Sequence, residues 1–282
     1  MISIIIPCYN HKNYIQKTLD SILEDDFLDK EIVIIDDGST DGSDEVISNW
    51  VEKNKNRIKI IYKRRENKGL NKTLNELISL SNGEYIVDVG SDDFLLKGGL
   101  KKRYDFLKQN PDIDVLISDG VVVDKNDKII SKSILFEFRG YKKEEFSTQE
   151  SIKKTLFKRF ATAGSIYMTK KDFFEKIGYY DESLLAEDLD FSLKALGKGK
   201  VAFLDEKVSA YRVHDTNQSI GNISPKLLGD SAKAFYKNIH LFPKRDWPII
   251  WWNIVKFLIR EWILRGKNIL VSFFHNKKFK KT

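Results

Sequence analysis

Carboxylates occur in this chain in adjacent pairs, and each pair could do a different job. Asp92 and Asp93 directly follow Ser91. Neighbouring carboxylates repel, and a divalent cation shared with a diphosphate relieves the repulsion; Mg²⁺ and Mn²⁺ favour one or two protein carboxylates plus phosphate oxygens. The same residues could simply cap the next helix. Asp36 and Asp37 open the run Asp36-Asp37-Gly38-Ser39-Thr40-Asp41-Gly42, whose composition is that of a turn. At the carboxyl end of a strand, however, such carboxylates can accept from nucleobase N–H groups or ribose hydroxyls. Glu187 and Asp188 precede Leu189, Phe191, Leu193 and Leu196. They suit a helix dipole there, and one that opens onto a cleft could act as a general base towards a hydroxyl. His214, in Tyr211-Arg212-Val213-His214, is either a metal ligand or an ordinary polar residue at a strand end.

The elements that must position these residues alternate between apolar β-rich runs and helical stretches. Strands are expected at Ser3–Pro7, Glu31–Asp36, Ile58–Tyr62, Tyr85–Val89 and Asp114–Ser118. Helices are expected at Tyr14–Leu23, Ser43–Glu52, Asn71–Leu80 and Lys101–Lys108. Glu31–Asp36 hardly alternates, so both its faces should be buried. Strands of that kind separated by helices predict a mostly parallel sheet with helices on both faces. Ligands of such sheets bind outside the carboxyl ends of the strands, where the acidic pairs fall. From about residue 119 the rhythm changes. Val121–Asp124 and Ile129–Ser133 read as a hairpin, and helices near 150–159 and 170–177 bracket a strand at Ser165–Met168. Asp188–Leu196 reads as a helix, followed by extended Val201–Leu204 and Val208–Val213. No Pro/Ser-rich linker divides this stretch, so residues 1–225 are expected to form one domain of two halves, about 1–118 and 119–225. A boundary is expected near 225–245, at Pro225 and Pro243.

The chain has 282 residues, 16 Gly, 5 Pro and one cysteine, Cys8, which excludes collagen-like and low-complexity classes and any disulfide framework. The formal charge of +7 is uneven. Residues 241–282 hold ten basic and two acidic side chains, leaving 38 against 39 in residues 1–240. The basic residues of the body form no motif, so nucleic acid is not an expected partner. Within the tail, about 100° per residue puts Asn253, Lys256, Arg260 and Lys267 on one stripe, broadly opposite Val255, Leu258, Ile259 and Trp262. Four of the five tryptophans, Trp247, Trp251, Trp252 and Trp262, lie here. An amphipathic helix of this kind suits the surface of an anionic membrane, aided by Lys277, Lys278, Lys280 and Lys281. A second subunit or the catalytic body is the alternative cover. No run reaches the roughly 20 apolar residues of a span, and Met1–Pro7 lacks the basic start of a signal peptide. The expected location is cytoplasmic, peripheral on the inner membrane face through 247–282.

Taken in order, seven stretches resemble family 2 glycosyltransferases, which have the GT-A fold. They are Ser3-Ile4-Ile5-Ile6-Pro7-Cys8-Tyr9-Asn10, Ile35 to Asp41, Asn67-Lys68-Gly69-Leu70-Asn71, Gly90-Ser91-Asp92-Asp93, Tyr180-Asp181-Glu182-Ser183, Ala186-Glu187-Asp188-Leu189-Asp190 and Tyr211-Arg212-Val213-His214. The resemblance covers about residues 1–220 and implies inverting transfer of a sugar from a nucleotide-sugar, with UDP the preferred nucleotide by family frequency. It implies that Pro7, Tyr9, Asn10, Asp36, Asp37, Asn67, Gly69, Ser91 and Asp92 line the donor site. It further implies that Asp188 is the general base, that Glu187 positions the acceptor, and that Asp92, Asp93 and His214 hold Mn²⁺ or Mg²⁺. The acceptor implied is a glycan or lipid-linked saccharide of the cell surface.

One position departs from the pattern: Gly90 stands where the first Asp of Asp-x-Asp is usual. Asp88 shares its strand face one pleat deeper and is not expected to replace it. Two other functions compete. A sugar-phosphate nucleotidylyltransferase would need a Gly-rich, Arg-containing N-terminal loop, and Ser3–Asn10 contains no Gly. A non-catalytic nucleotide-sugar or glycan binder is argued for by Gly90 alone, and against by Asp92 and Asp188 together.

Overall fold

A computed structural model describes residues 1–159, 164–215 and 223–278, with 267–278 as backbone only. Four strands, β1 (Ile2–Cys8), β2 (Lys30–Asp36), β3 (Lys59–Arg64) and β4 (Tyr85–Asp88), lie parallel in the order β3-β2-β1-β4. The register sets Cys8 beside Asp36 and Asp36 beside Arg64, so the carboxyl ends of β1, β2 and β3 form one row. The connecting helices are α1 (Ile15–Glu24), α2 (Ser43–Asn54) and α3 (Leu70–Leu80). Ile15, Leu19 and Ile22 of α1 recur at helical spacing, and all are buried against one face of the sheet with Ile4, Ile6 and Ile47. Leu74, Leu77 and Ile78 of α3 bury against the opposite face with Ile5, Val33 and Ile35. Burial of each such side chain contributes about 1.5–3 kcal/mol. The continuous apolar run of β2 is thus explained by helices on both sides.

The other side of the sheet is mixed, which corrects the mostly parallel expectation. It contains β5 (Phe94–Leu95), β6 (Val115–Val123), β7 (Ile129–Ser131), β8 (Tyr167–Lys170) and β9 (Val201–Arg212). From β4 the order continues β8-β6-β9-β5, with β7 paired on β6. Only β6·β9 is parallel here; β4·β8, β6·β8, β6·β7 and β5·β9 are antiparallel. Two pairs of expected strands merge. Asp114–Ser118 and Val121–Asp124 belong to the single β6, while Val201–Leu204 and Val208–Val213 belong to β9. The cause is Gly120, where an added Cβ would lie 2.4 Å from the Ser209 carbonyl oxygen. The lack of a side chain lets β6 and β9 approach closely, and their register shifts on either side of Asp119. Residues 164–166 form a 3₁₀ turn, so the strand expected at Ser165–Met168 starts two residues later.

Around this half pack α4 (Gly99–Gln109), α5 (Gln149–Lys158), α6 (Lys171–Ile177), α7 (Glu187–Lys198), α8 (Pro225–Asn238) and α9 (Trp247–Lys278). Phe235 of α8 and Ile250 and Ile254 of α9 belong to the same core cluster as Phe157, Phe173 and Leu193. Asn253 is buried too, its amide donating to the Phe157 carbonyl at 2.7 Å. It therefore faces the body and not the solvent stripe. The outer side of α9 presents Trp251, Trp252, Val255, Leu258, Ile259, Trp262 and Ile263, all exposed. Among the described residues no helix is long and apolar enough to cross a membrane.

Candidate active site

The loop after β4 holds Ser91, Asp92 and Asp93, and two distant elements brace it. Thr18 of α1 donates its hydroxyl to the carbonyls of Ser91 and Asp93 at 3.0 and 2.6 Å. From β9, Arg212 donates through Nε to the Asp92 carbonyl at 2.7 Å, and its backbone N–H donates to Asp93 Oδ1 at 2.9 Å. The buried guanidinium also pairs with Asp127 at 2.5 Å and lies 4.9 Å from the centre of the Tyr14 ring.

This bracing sends the two aspartates in different directions. Asp93 is buried and accepts from Arg212 and, at 3.3 Å, from the Ser165 hydroxyl. Burial and the neighbouring Asp92 charge push its pKa well above the ordinary carboxylate value. Asp92 instead meets two imidazoles. His214 Nε2 lies 2.9 Å from Oδ2 and His11 Nδ1 lies 3.9 Å from Oδ1. Burial pushes Asp92 up, but the His214 hydrogen bond and the nearby His11 outweigh it, so its pKa falls below the ordinary value. One ligand atom from each of His11, Asp92 and His214 falls within 4.8 Å of the others. Two imidazoles and a carboxylate so arranged fit a divalent cation. Sequence reasoning passed over His11, although it directly follows Tyr9-Asn10 at the end of β1.

The row of strand ends beside this cluster carries the remaining residues expected at the donor site. Pro7 is the last residue but one of β1, with Tyr9 exposed just beyond the strand. Asn10 takes a left-handed conformation, φ 57°, and accepts from the Thr40 N–H at 2.8 Å while its own N–H donates to Ser39. Asp36 is fully buried, accepting from the Ser39 N–H at 3.1 Å. Asp37 pairs with Arg65 and accepts from the N–H groups of Lys68 and Gly69 at 2.8 and 2.9 Å. Its carboxylate is thus spent on holding the 65–69 loop, which places Asn67 and Gly69. Gly69 needs its φ of 88° to start α3. Ser91 is buried, its hydroxyl 2.7 Å from His11 Nδ1.

A second acidic cluster forms where α7 begins. Asp188 and Asp88 line one small cavity with Tyr180, Tyr167, Phe191 and Gly164, and Glu187 stands beside them. Burial pushes Asp188 up to about 6. Burial and the charge of Asp188 push Asp88 up to about 7 and Glu187 up to about 8. Among the described residues, none is a hydrogen-bond partner of the buried Asp88 Oδ1. Sequence reasoning set Asp88 aside; its place is under the candidate base, away from the imidazoles. Residues 164–166 join the two clusters: Gly164 borders the cavity, and Ser165 bonds Asp93.

The model of the family described as glycosyl transferase family 2 matches residues 3–178. The chain belongs to this family. An uncharacterized glycosyltransferase of Methanocaldococcus jannaschii is 25% identical over 265 residues, 92% of this chain and 88% of that protein. Chondroitin synthase of Pasteurella multocida is 28% identical over 225 residues, 79% of this chain and 22% of its own length. Among solved structures, S. aureus TarS 1-349 in complex with UDP-GlcNAc superposes with a TM-score of 0.68 at 22% identity, covering 91% of this chain and 71% of that one. The mannosyltransferase PcManGT from Pyrobaculum calidifontis, in complex with GDP-Man and Mn²⁺, gives 0.63 at 17% identity, with 99% and 81% covered. These neighbours share the GT-A fold with this family 2 glycosyltransferase.

Proposed function

We propose that this glycosyltransferase moves a sugar, with inversion, from a UDP-sugar to a hydroxyl of a glycan or lipid-linked saccharide in cell-surface polysaccharide synthesis. The observation that carries the proposal is the pair of acidic clusters joined through residues 164–166. Asp188, pushed up to about 6 by burial, is ionised at neutral pH yet basic enough to take a proton. It removes the acceptor hydroxyl proton as that oxygen attacks the anomeric carbon and the bond to the nucleoside diphosphate breaks. Glu187, higher at about 8, stays protonated at neutral pH and can donate a hydrogen bond that orients the acceptor.

Pro7, Tyr9, Asn10, Asp36, Ser91 and the loop held by Asp37, with Asn67 and Gly69, form the nucleotide side. Asp92 and His214 would hold Mn²⁺ or Mg²⁺, which when bound supplies charge stabilisation to the departing diphosphate. Asp93, committed to Arg212 and Ser165, fixes the loop that presents Asp92. That UDP-GlcNAc and GDP-Man complexes exist for structural neighbours supports a nucleotide-sugar donor.

The test is nucleoside diphosphate release from UDP-, GDP- and dTDP-sugars with Mn²⁺, Mg²⁺ or EDTA. Release from one donor, lost in Asp92→Ala and Asp188→Ala, is expected. A folded protein that binds none of these donors in the presence of metal would sink the proposal.

The exposed apolar side of α9 is proposed to lie on an anionic membrane. Its support is the flanking charge: Lys256 and Arg260 border the Trp252 side, and Arg265 borders the Leu258 side. Co-sedimentation with vesicles containing anionic lipid, and not with neutral ones, is the expected result. Dimerisation in solution that buries Trp251 and Trp262 would replace it.

A further inference from the structure

We propose that His11 is a direct metal ligand, making the cation site a two-imidazole, one-carboxylate set of His11, Asp92 and His214. The inference rests on the metal reading of Asp92 and His214 above and extends it to a residue from a different strand end. Four observations carry it. Ligand atoms of the three side chains lie within 4.8 Å of each other. The rings of His11 and His214 stand nearly perpendicular, 88° apart with centroids 5.8 Å apart, so they approach the carboxylate from different directions. The aromatic ring of Tyr14 lies 4.7 Å from that of His214 and 6.2 Å from that of His11, walling one side of the pair. Finally, a Cβ at Gly90 would fall 2.8 Å from Asp92 Oδ1, so the glycine lets the Asp92 carboxylate keep this position against the imidazoles.

The last point gives the departure at residue 90 a physical meaning. With Asp92 turned towards the imidazoles, any side chain at 90 would collide with its carboxylate unless Asp92 moved. The set so built takes a nitrogen donor from the loop after β1 and has no carboxylate at residue 90. Nitrogen donors change which cation is favoured. Mg²⁺ prefers carboxylate, carbonyl and water oxygens, whereas imidazole binds first-row transition ions better, with affinity rising along the series from Mn²⁺. The site should therefore hold Mn²⁺ more tightly than Mg²⁺. The His11 and Asp92 side chains keep 22% and 16% exposure and that of His214 2%, so solvent and a donor would reach the cluster from the His11 and Asp92 side.

The experiment uses the full chain labelled with ¹⁵N-histidine, with Mn²⁺ or Mg²⁺ added alone and no donor. Pulsed electron paramagnetic resonance of bound Mn²⁺ counts the coupled imidazole nitrogens. Two are expected in the parent protein, and one each in His11→Gln and His214→Gln. Mn²⁺ affinity should fall by about tenfold or more in His11→Gln, as loss of a ligand exceeds the cost of disturbing a ligand's support, and the Mn²⁺ preference over Mg²⁺ should narrow. His240→Gln, on the exposed turn after α8, should change nothing. A single nitrogen in the parent protein, which requires no variant to fold, overturns the proposal, as does unchanged Mn²⁺ affinity in His11→Gln. A parent protein that binds no Mn²⁺ at all would overturn the underlying metal reading instead, and the two failures are told apart by that measurement.

Discussion

Asp92 and Asp188 are both carboxylates at the edge of the same sheet, and their surroundings drive them apart. Asp92 sits between two histidines, and its pKa is held below the ordinary value. Asp188 shares its cavity with Asp88 and stands beside Glu187, and burial carries it up to about 6. Burial opposes ionisation at both sites; what differs is that hydrogen-bonding imidazoles offset it at Asp92 and nothing offsets it at Asp188. One carboxylate is thereby suited to stay charged and hold charge, the other to exchange a proton near neutral pH.

The strongest way to break this division is Asp188→Asn, expected to lower kcat by about 10²–10⁴-fold with donor affinity largely kept; calorimetry with the nucleotide-sugar checks the second half. Asp92→Asn should do the reverse, weakening donor and Mn²⁺ binding together, and isothermal titration with each would show it.

The pH profile sharpens the comparison. An Asp188 raised to about 6 makes kcat/KM climb as pH rises through about 6, because the active form is the ionised one. Asp88 keeps its proton until about pH 7, above the Asp188 limb, so Asp88→Asn should leave that limb where it is. The same variant tests stability. An acid whose folded value exceeds its unfolded one loses stability as pH rises from its unfolded pKa towards the folded one, here from about 3.8 to about 7. Asp88→Asn should therefore gain on the parent protein in urea denaturation at pH 8, by about 1 kcal/mol, and the gain should vanish near pH 4. The smallest expected effect on catalysis belongs to the tail. Trp251→Glu with Trp262→Glu should abolish vesicle co-sedimentation while leaving turnover of a soluble acceptor unchanged.

How much of this was legible in the sequence depended on whether a signal was local. The parallel strands β1 to β4 and the acidic runs at their ends are contiguous patterns, and their place in the row of strand ends follows from the fold class. The second half was harder because Gly120 and the polar stretch Asp205-Glu206-Lys207 interrupt two long strands that close pairing keeps continuous. The merger depends on a contact between segments ninety residues apart, which no window along the chain contains. His11, Arg212 and Asp88 were missed or set aside for the same reason. Each lay inside or beside a stretch already singled out, but its role is defined by side chains from other elements. Asp37 shows the converse: its motif was read correctly as a feature of the strand end, while its engagement with Arg65, Lys68 and Gly69 required coordinates.

The bracing of the Asp92 loop by β9 also has a consequence for how the molecule is made. His214 and Arg212 reach back across 122 and 120 residues to the loop they complete. A chain emerging from the ribosome exposes the β1–β4 half, with its row of strand ends, long before these partners exist. Long-range pairings of this kind form late because loop closure precedes their reward. Until β9 inserts between β6 and β5, Asp92 lacks one imidazole and the loop lacks its guanidinium. The proposed cation site is thus complete only in the finished sheet, and timed Mn²⁺ uptake during refolding would report the arrival of its last strand.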